Sequence, residues 1–405
     1  MAQQTNDIEK TELWSLASKL VSFDTVSAHS NSEAIEYLAD YAREAGLQVR
    51  VLTDEIDGIK KSSLLAWAGP ATEDGLIISG HTDVVPFDGQ PGWQYDPLVM
   101  QRSGDSVYGR GVTDMKVFIA QAFVAAKELD LTQLQRPLVF ILTYDEEVAG
   151  QGSGRLVKTL PKQFTEVPLP KVALIGEPTD YEIFPAHKGY ASFDVCVHGK
   201  GGHSSVPSKG LNAIDKMADV IRIVRETDHE LQSHMTAENK ALFAECPYSA
   251  FNYGTIHGGL APNMIAETCR LTLSLRITPN DDFTEILKKL QTRFAQEITA
   301  SMRESGPDCG VFIENIVMTP PLKSPTDHPL AQLLSTVMER PLNQGAPFAT
   351  DGGQFAVLGI QSYICGPGAL AEAHQPNESL SIENFRSGQE RITRLIQQWC
   401  IADHQ

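Results

Sequence analysis

Short apolar runs recur through the first half of the chain: "SLLAWAG", "GLIISG", "PLVFILT" and "KVALIG". Runs of this length with little polar alternation mark strands buried on both faces of a sheet. Around them, apolar residues fall at helical spacing in "TELWSLASKLVSF", in "SEAIEYLADYAREAG", closed by Gly46, and in "DMKVFIAQAFVAAKEL". This alternation predicts an α/β domain with a mixed, mainly parallel sheet and helices on both faces. From about Phe184 the rhythm changes. "GYASFDVCVHGKG" alternates as a half-exposed strand does, "LNAIDKMADVIRIVRET" is helical, and "FNYGTIHGG" and "ETCRLTLSLRITP" are strands. "DFTEILKKLQTRFAQEITASMRE" is again helical and "GVFIENIVMT" a strand. The order β-α-β-β-α-β predicts a ferredoxin-like α+β domain inserted into the larger one. After the proline-rich "TPPLKSPTDHP", the first pattern resumes with "LAQLLSTVM", "SYICGPG" and a closing helix in "ENFRSGQERITRLIQQWCI". The expected division is residues 1–183 and 321–405 in the larger domain and 184–320 in the insert.

Composition narrows the partners. A chain of 405 residues is long for one core, in keeping with two domains. Its 33 Lys and Arg stand against 51 Asp and Glu, a net charge of −18, and that field repels phosphate backbones, which argues against nucleic acid. No apolar run approaches the roughly 20 residues that span a bilayer, so no membrane partner is expected. The opening "MAQQTNDIEKTELWSLASKL" lacks the pattern of a secretory signal, and the six cysteines are scattered without a C-x-x-C pair. The expectation is a cytoplasmic protein with reduced thiols.

Candidate chemistry gathers where the buried strands end, the edge at which α/β sheets bind ligands. "LIISGH" ends in His81, "PLVFILTYDEE" in Glu146 and Glu147, and "KVALIGE" in Glu177. The segment after "SYICGPG" carries His374, and Asp114 follows the glycine-rich "GRGV" at the head of a helix. Taken singly, each has an ordinary explanation: a solvated acidic pair, a turn residue, a helix cap. Together they make an imidazole and carboxylate set without thiolate, which suits zinc, cobalt or manganese. His81, Asp114, Glu147, Glu177 and His374 are too many for one tetrahedral ion and natural for two ions, with Asp114 the bridge. Side chains of adjacent residues diverge at a strand end, so of Glu146 and Glu147 one can be a ligand and the other a free base. Asp83 can serve as an ordinary turn residue or accept the other ring N–H of His81.

"SGHTDVVP", "YGRGVTDMK", "DEEVAGQGS", "GEPTD", "GKGGHSSVPSKGLNAI", "IHGGLAPNMI" and "GPGALAEAHQPNE" together resemble the dinuclear zinc aminoacylase and carboxypeptidase family, in collinear order over nearly the whole chain. The resemblance implies two divalent metal ions, His81 and Glu177 on one, Glu147 and His374 on the other, and Asp114 between them. It implies Glu146 as general base and Asp83 as the residue orienting His81. In the insert it implies His203 as a donor to the tetrahedral oxyanion, often of the neighbouring subunit's site, and hence a homodimer formed through the insert. Asn263 and Arg276 resemble the pair that binds a substrate carboxylate, and Thr350, Gly352 and Gly353 fall in a turn that touches substrate. Within the family, "GHTDVVPFDGQPGW", "YGTIHGG" and "ICGPGALAEAH" are most similar to the branch that deacetylates Nα-acetyl-L-ornithine in arginine synthesis. The implied reaction is therefore hydrolysis of an N-acyl amino acid. A succinyl-diaminopimelate desuccinylase, a broader acyl-amino-acid hydrolase and a metal-depleted binding protein are the alternatives. "TDGG" at Thr350 to Gly353 and "HQPNE" at His374 to Glu378 depart from the "TEAG" and "HKPDE" of that branch.

Overall fold

The apolar runs become strands of one six-stranded sheet: β1 (Gln48–Ile56), β2 (Ile59–Ala68), β3 (Leu76–His81), β4 (Leu138–Thr143), β5 (Val172–Ile175) and β6 (Gln361–Ile364). Their order across the sheet is β1-β2-β4-β3-β5-β6. β1, β2 and β4 pair antiparallel, while β4, β3, β5 and β6 run parallel. The computed structural model describes residues 8–402; the opening "MAQQTND", part of the stretch read for a secretory signal, lies outside the described residues.

Strand residues alternate between two cores, one on each face. Leu64, Ile78, Phe140, Leu174 and Tyr363 join one apolar cluster with α1 (Glu12–Val21), α2 (Ser32–Glu44), α3 (Lys116–Glu128), α5 (Pro329–Met338) and α7 (Ile382–Ile396). Leu65, Ile77, Ile141, Ala173 and Ile364 join the other with α4 (Gln151–Gln163) and α6 (Asp351–Ala356). Because both faces are covered, β3, β4 and β5 are buried along their whole length, which is why their sequences show so little alternation. α3 is apolar almost all round and is correspondingly buried, apart from its last two residues. Each fully buried Leu, Ile or Phe in such a layer stabilises the fold by roughly 1.5–3 kcal/mol.

Two compact units divide the chain: residues up to Ala186 together with those from Leu322, and His187–Pro321. In the second unit, Ala250–Gly258, Thr268–Ile277, Gly189–His198 and Gly310–Thr319 form, in that order, an antiparallel four-stranded sheet. The helices Ala213–Gln232 and Phe283–Arg293 cover one face, where Phe193, Val195, Leu273 and Leu275 meet Met217, Val220 and Leu290. Inward residues therefore alternate with outward polar ones such as Asp194, Arg270 and Thr272, the half-exposed pattern visible in the sequence. A short helix, Ala237–Leu242, capped by the Thr236 hydroxyl, was not anticipated. Among the described residues, no helix is long and apolar enough to cross a membrane.

Candidate metal centre

The four parallel strands β4, β3, β5 and β6 point their carboxyl ends to one edge of the sheet, and each is followed by acidic or imidazole groups. His81 is the last residue of β3; Glu146 and Glu147 lie three and four residues beyond β4; Glu177 is two beyond β5; His374 lies in the segment after β6. Asp114 arrives from the turn before α3. That helix begins at Lys116 and its cap residue, Met115, makes no side-chain cap bond, so Asp114 does not open the helix as a cap.

Two clusters of ligand atoms result, each spanning no more than 4.8 Å: His81, Asp114 and Glu177, and Asp114, Glu147 and His374. Asp114 belongs to both, with one oxygen for each. Its Oδ1 lies 3.0 Å from His81 Nε2 and its Oδ2 3.3 Å from His374 Nε2. His81 Nε2 is 4.0 Å from Glu177 Oε2, and His374 Nε2 is 3.0 Å from Glu147 Oε1. The donors are all imidazole nitrogen and carboxylate oxygen, a set that fits two divalent cations sharing a carboxylate. His81, Asp114, Glu147 and Glu177 expose at most 8% of their side chains, whereas His374 exposes 48%, so solvent reaches the cluster from the His374 side.

Glu146 belongs to neither triad and is held beside them by its backbone. The Asp83 carboxylate accepts the Glu146 N–H (3.2 Å), the Glu147 N–H (3.3 Å) and the Ser27 hydroxyl (2.7 Å). His81 Nδ1 lies closer to the Asp83 carbonyl oxygen (2.9 Å) than to its carboxylate (3.5 Å). Asp83 thus meets His81 through its carbonyl and, at longer range, its carboxylate, which also holds the acidic pair and Ser27. Next to that pair, Asp145 accepts from the buried Lys61 ammonium at 2.7 Å. Buried Asp351 accepts hydroxyls from Thr143, the last residue of β4, and from Ser153 in α4, so it clamps both flanks of the turn. Sequence reasoning missed Lys61, Ser27 and Asp351; the only signal for Asp351 was its place in the departing "TDGG".

Crowding so many carboxyls shifts their protonation. Burial, then the charge of Glu177, raises the Glu146 carboxyl well above its usual range. Burial, then Asp114, does the same to Glu177 and raises Glu147. Burial would lift Asp114 too, but hydrogen bonds from His374 and His81 hold it low. Burial disfavours a charged His81, yet its bonds to Asp114 and Asp83 outweigh that and raise its pKa well above the usual value. Hydrogen bonds to Asp114 and Glu147 raise His374 to about 10. In metal-stripped protein near neutral pH both imidazoles therefore carry protons, and a cation can use only the neutral form. Metal uptake at pH 7 should release protons, and affinity should rise with pH through the range up to about 10. Calorimetry in buffers of different ionisation enthalpy checks this; uptake without proton release would contradict it.

The remaining candidates are placed differently. His203, Asn263 and Arg276 belong to the second unit. There the structure brings His203 and Asn263 together: His203 pairs with Met264, and the Ser204 N–H donates to the Asn263 carbonyl at 3.2 Å. Arg276 lies on the strand Thr268–Ile277, its guanidinium 4.8 Å from the centre of the Tyr190 ring. Thr350, Gly352 and Gly353 lie at the start of α6. All three are buried, Thr350 caps α6, and the N–H groups of Gly352 and Gly353 donate to the Thr350 hydroxyl and carbonyl. A side chain on Gly352 would press on Leu322 and Ser362 at 3.1 and 3.2 Å. These residues pack a helix start, with the Gly352 and Gly353 N–H groups bonded within it.

Comparisons with known proteins agree with this architecture. Over 385 residues, 94% of this chain and 94% of the other, the sequence is 34% identical to acetylornithine deacetylase from Pasteurella multocida. A metallo-carboxypeptidase of the M20 family from Sulfolobus solfataricus shares the fold with a TM-score of 0.76 at 16% identity, covering 96% of this chain and 99% of that one. An aminopeptidase from Bacillus cereus does so with a TM-score of 0.70 at 19% identity, covering 96% and 98%. Residues 77–398, the span from β3 to the last helix and so every position in the two triads, match peptidase family M20/M25/M40, and the chain belongs to that family.

Proposed function

We propose that the chain is a dinuclear metal-dependent amidohydrolase that removes the acetyl group from Nα-acetyl-L-ornithine, giving L-ornithine and acetate in arginine synthesis in the cytoplasm. The observation that carries the reaction class is the pair of triads sharing Asp114 beside an uncommitted carboxylate, Glu146. The choice of substrate rests on the 34% identity to an acetylornithine deacetylase over 94% of the chain. His81, Asp114 and Glu177 would hold one cation and Asp114, Glu147 and His374 the other, zinc first, with cobalt or manganese compatible with the same donors. Such cations supply Lewis acidity, polarising an amide carbonyl and lowering the pKa of water from about 15.7 to about 7.

The chain's own groups supply the proton traffic. Glu146, ligating nothing, accepts a proton from water on its carboxylate and returns it to the departing amine nitrogen; a raised pKa makes that carboxylate a better acceptor in the first step. His203 Nδ1 accepts the Ser205 N–H (3.2 Å) and hydroxyl (2.8 Å), which leaves Nε2 as the protonated ring nitrogen, a donor suited to an oxyanion in the partner subunit of a dimer formed through His187–Pro321. Arg276, its guanidinium 4.8 Å from the centre of the Tyr190 ring, offers a planar fork for the substrate's α-carboxylate together with Asn263. Arg276→Ala should raise KM roughly 10- to 100-fold for substrates with a free α-carboxylate, the value of a charged hydrogen bond, and leave their methyl esters little changed. Equal effects on acids and esters would remove the assignment.

The deciding experiment compares kcat/KM of the zinc- or cobalt-loaded protein on Nα-acetyl-L-ornithine and on N-succinyl-L,L-diaminopimelate. A preference for the first of at least about tenfold, 1.4 kcal/mol in transition-state binding, is expected. The reverse order, or weak turnover of both, moves the substrate to another N-acyl amino acid. A fully loaded protein inert toward all of them would leave a metal-binding protein that is not a hydrolase.

A further inference from the structure

The segment "HQPNE" carries a triad member at its first residue and a shaping group at its last. Glu378 is 1% exposed, and both its oxygens are fully engaged. Oε1 accepts the N–H groups of Thr113 (2.8 Å) and Asp114 (3.0 Å); Oε2 accepts the Gly111 N–H (3.0 Å) and Arg110 Nη1 (2.8 Å). Strand pairing brings this about. Ser379–Ser381 runs antiparallel to Ser106–Tyr108 with Ser379 opposite Tyr108, so the residue before Ser379 meets the turn that follows Tyr108. Gly111, at a φ of +85°, lets that turn curl so that its N–H groups converge on one carboxylate.

The other arm of Arg110 reaches the far end of the same segment. Nη2 donates to Gln90 Oε1 at 2.8 Å while the guanidinium lies 5.1 Å from the centre of the Trp93 ring. Gln90 Nε2 then donates to the His374 carbonyl at 2.8 Å. Hydrogen bonds thus run from the Asp114 backbone through Glu378, Arg110 and Gln90 to the His374 backbone. His374 needs such support: its side chain is 48% exposed and its backbone is left-handed, with φ of +62°.

We infer that Glu378, Arg110 and Gln90 are positioning residues that fix Asp114 and His374 relative to one another and thereby set the metal affinity of the Asp114, Glu147 and His374 triad, an inference that rests on reading the two triads as metal sites. Glu378 acts on Asp114, which both triads share; Gln90 acts on His374, which only one contains. Their removal therefore has different signatures.

The test is zinc titration by calorimetry, with metal content by mass spectrometry and the visible spectrum of the cobalt-loaded protein, on wild type, Gln90→Ala, Gln90→Glu and Glu378→Gln. Wild type should bind two ions per chain. Gln90→Ala should weaken one ion by roughly 10- to 100-fold, the usual effect of losing a partner behind a ligand, and leave the other unchanged. Gln90→Glu keeps an acceptor for Arg110 but has no donor for the His374 carbonyl, so it should behave like Gln90→Ala; a merely structural role of the Arg110 contact would instead be rescued. Glu378→Gln should weaken both ions and alter the cobalt spectrum. If Glu378→Gln fails to fold, the Gln90 pair decides. Wild-type affinities in folded Gln90 variants would overturn the inference while leaving the metal centre intact. A wild type that binds fewer than two ions would overturn the metal-centre reading, and this inference with it.

Discussion

Glu146→Gln is expected to keep both metal ions and to lose hydrolysis by a factor on the order of 10³, in the middle of the range that a positioned acid or base contributes. Retention follows from geometry, since Glu146 is outside both triads and its N–H remains bonded to Asp83. Loss follows because an amide side chain can neither accept the proton from water nor deliver one to the leaving amine. The substitution is nearly isosteric and removes one of the carboxyls that raise each other's pKa, so the variant should fold at least as well as wild type. Rates and metal content measured on one preparation check the prediction. Turnover within tenfold of wild type would remove Glu146 as the base.

Asp114→Ala should be the most damaging single change to metal binding, because each of its oxygens faces a different imidazole. Both ions should weaken by more than the roughly 10- to 100-fold that partners behind the ligands cost, and hydrolysis should fall to background. Glu177→Ala, which touches one triad only, should spare one ion. Titration of the two variants separates these outcomes; loss of a single ion in Asp114→Ala would mean that the carboxylate is not shared.

What the sequence disclosed follows from what each residue has to do. β3, β4 and β5 were legible because strands buried on both faces must be apolar throughout, and the chemistry was legible because His81, Glu146, Glu147 and Glu177 interrupt that apolarity at the strand ends. The second unit was legible through alternation, since only one face of its sheet is covered. Glu378, Gln90 and Asp351 were not. They act on backbone N–H groups, a carbonyl and two hydroxyls, and such partners leave no spacing pattern in the residue types around them. Asp83 was visible beside His81, but its further partners were not, because the Glu146 and Glu147 amides it also accepts from leave no pattern in the residue types. Gly352 suggested a place for a ligand to approach; the packing it also allows, a helix start against Leu322 and Ser362, leaves no mark in the sequence.

The division of the larger unit by His187–Pro321 has a consequence for how the protein is made. The second unit is contiguous, so on the ribosome it can fold as soon as it emerges, as domains generally do. The larger unit has to wait. Until Gln361–Ile364 is synthesised, β5 remains an open edge with unpaired backbone groups, a surface prone to pairing with another nascent chain. His374 and Glu378 emerge later still, the first of them 260 residues after Asp114. Neither the shared carboxylate nor its second imidazole can find its place until "HQPNE" has been synthesised, so a chain stalled before it would carry a finished second unit and an unfinished site.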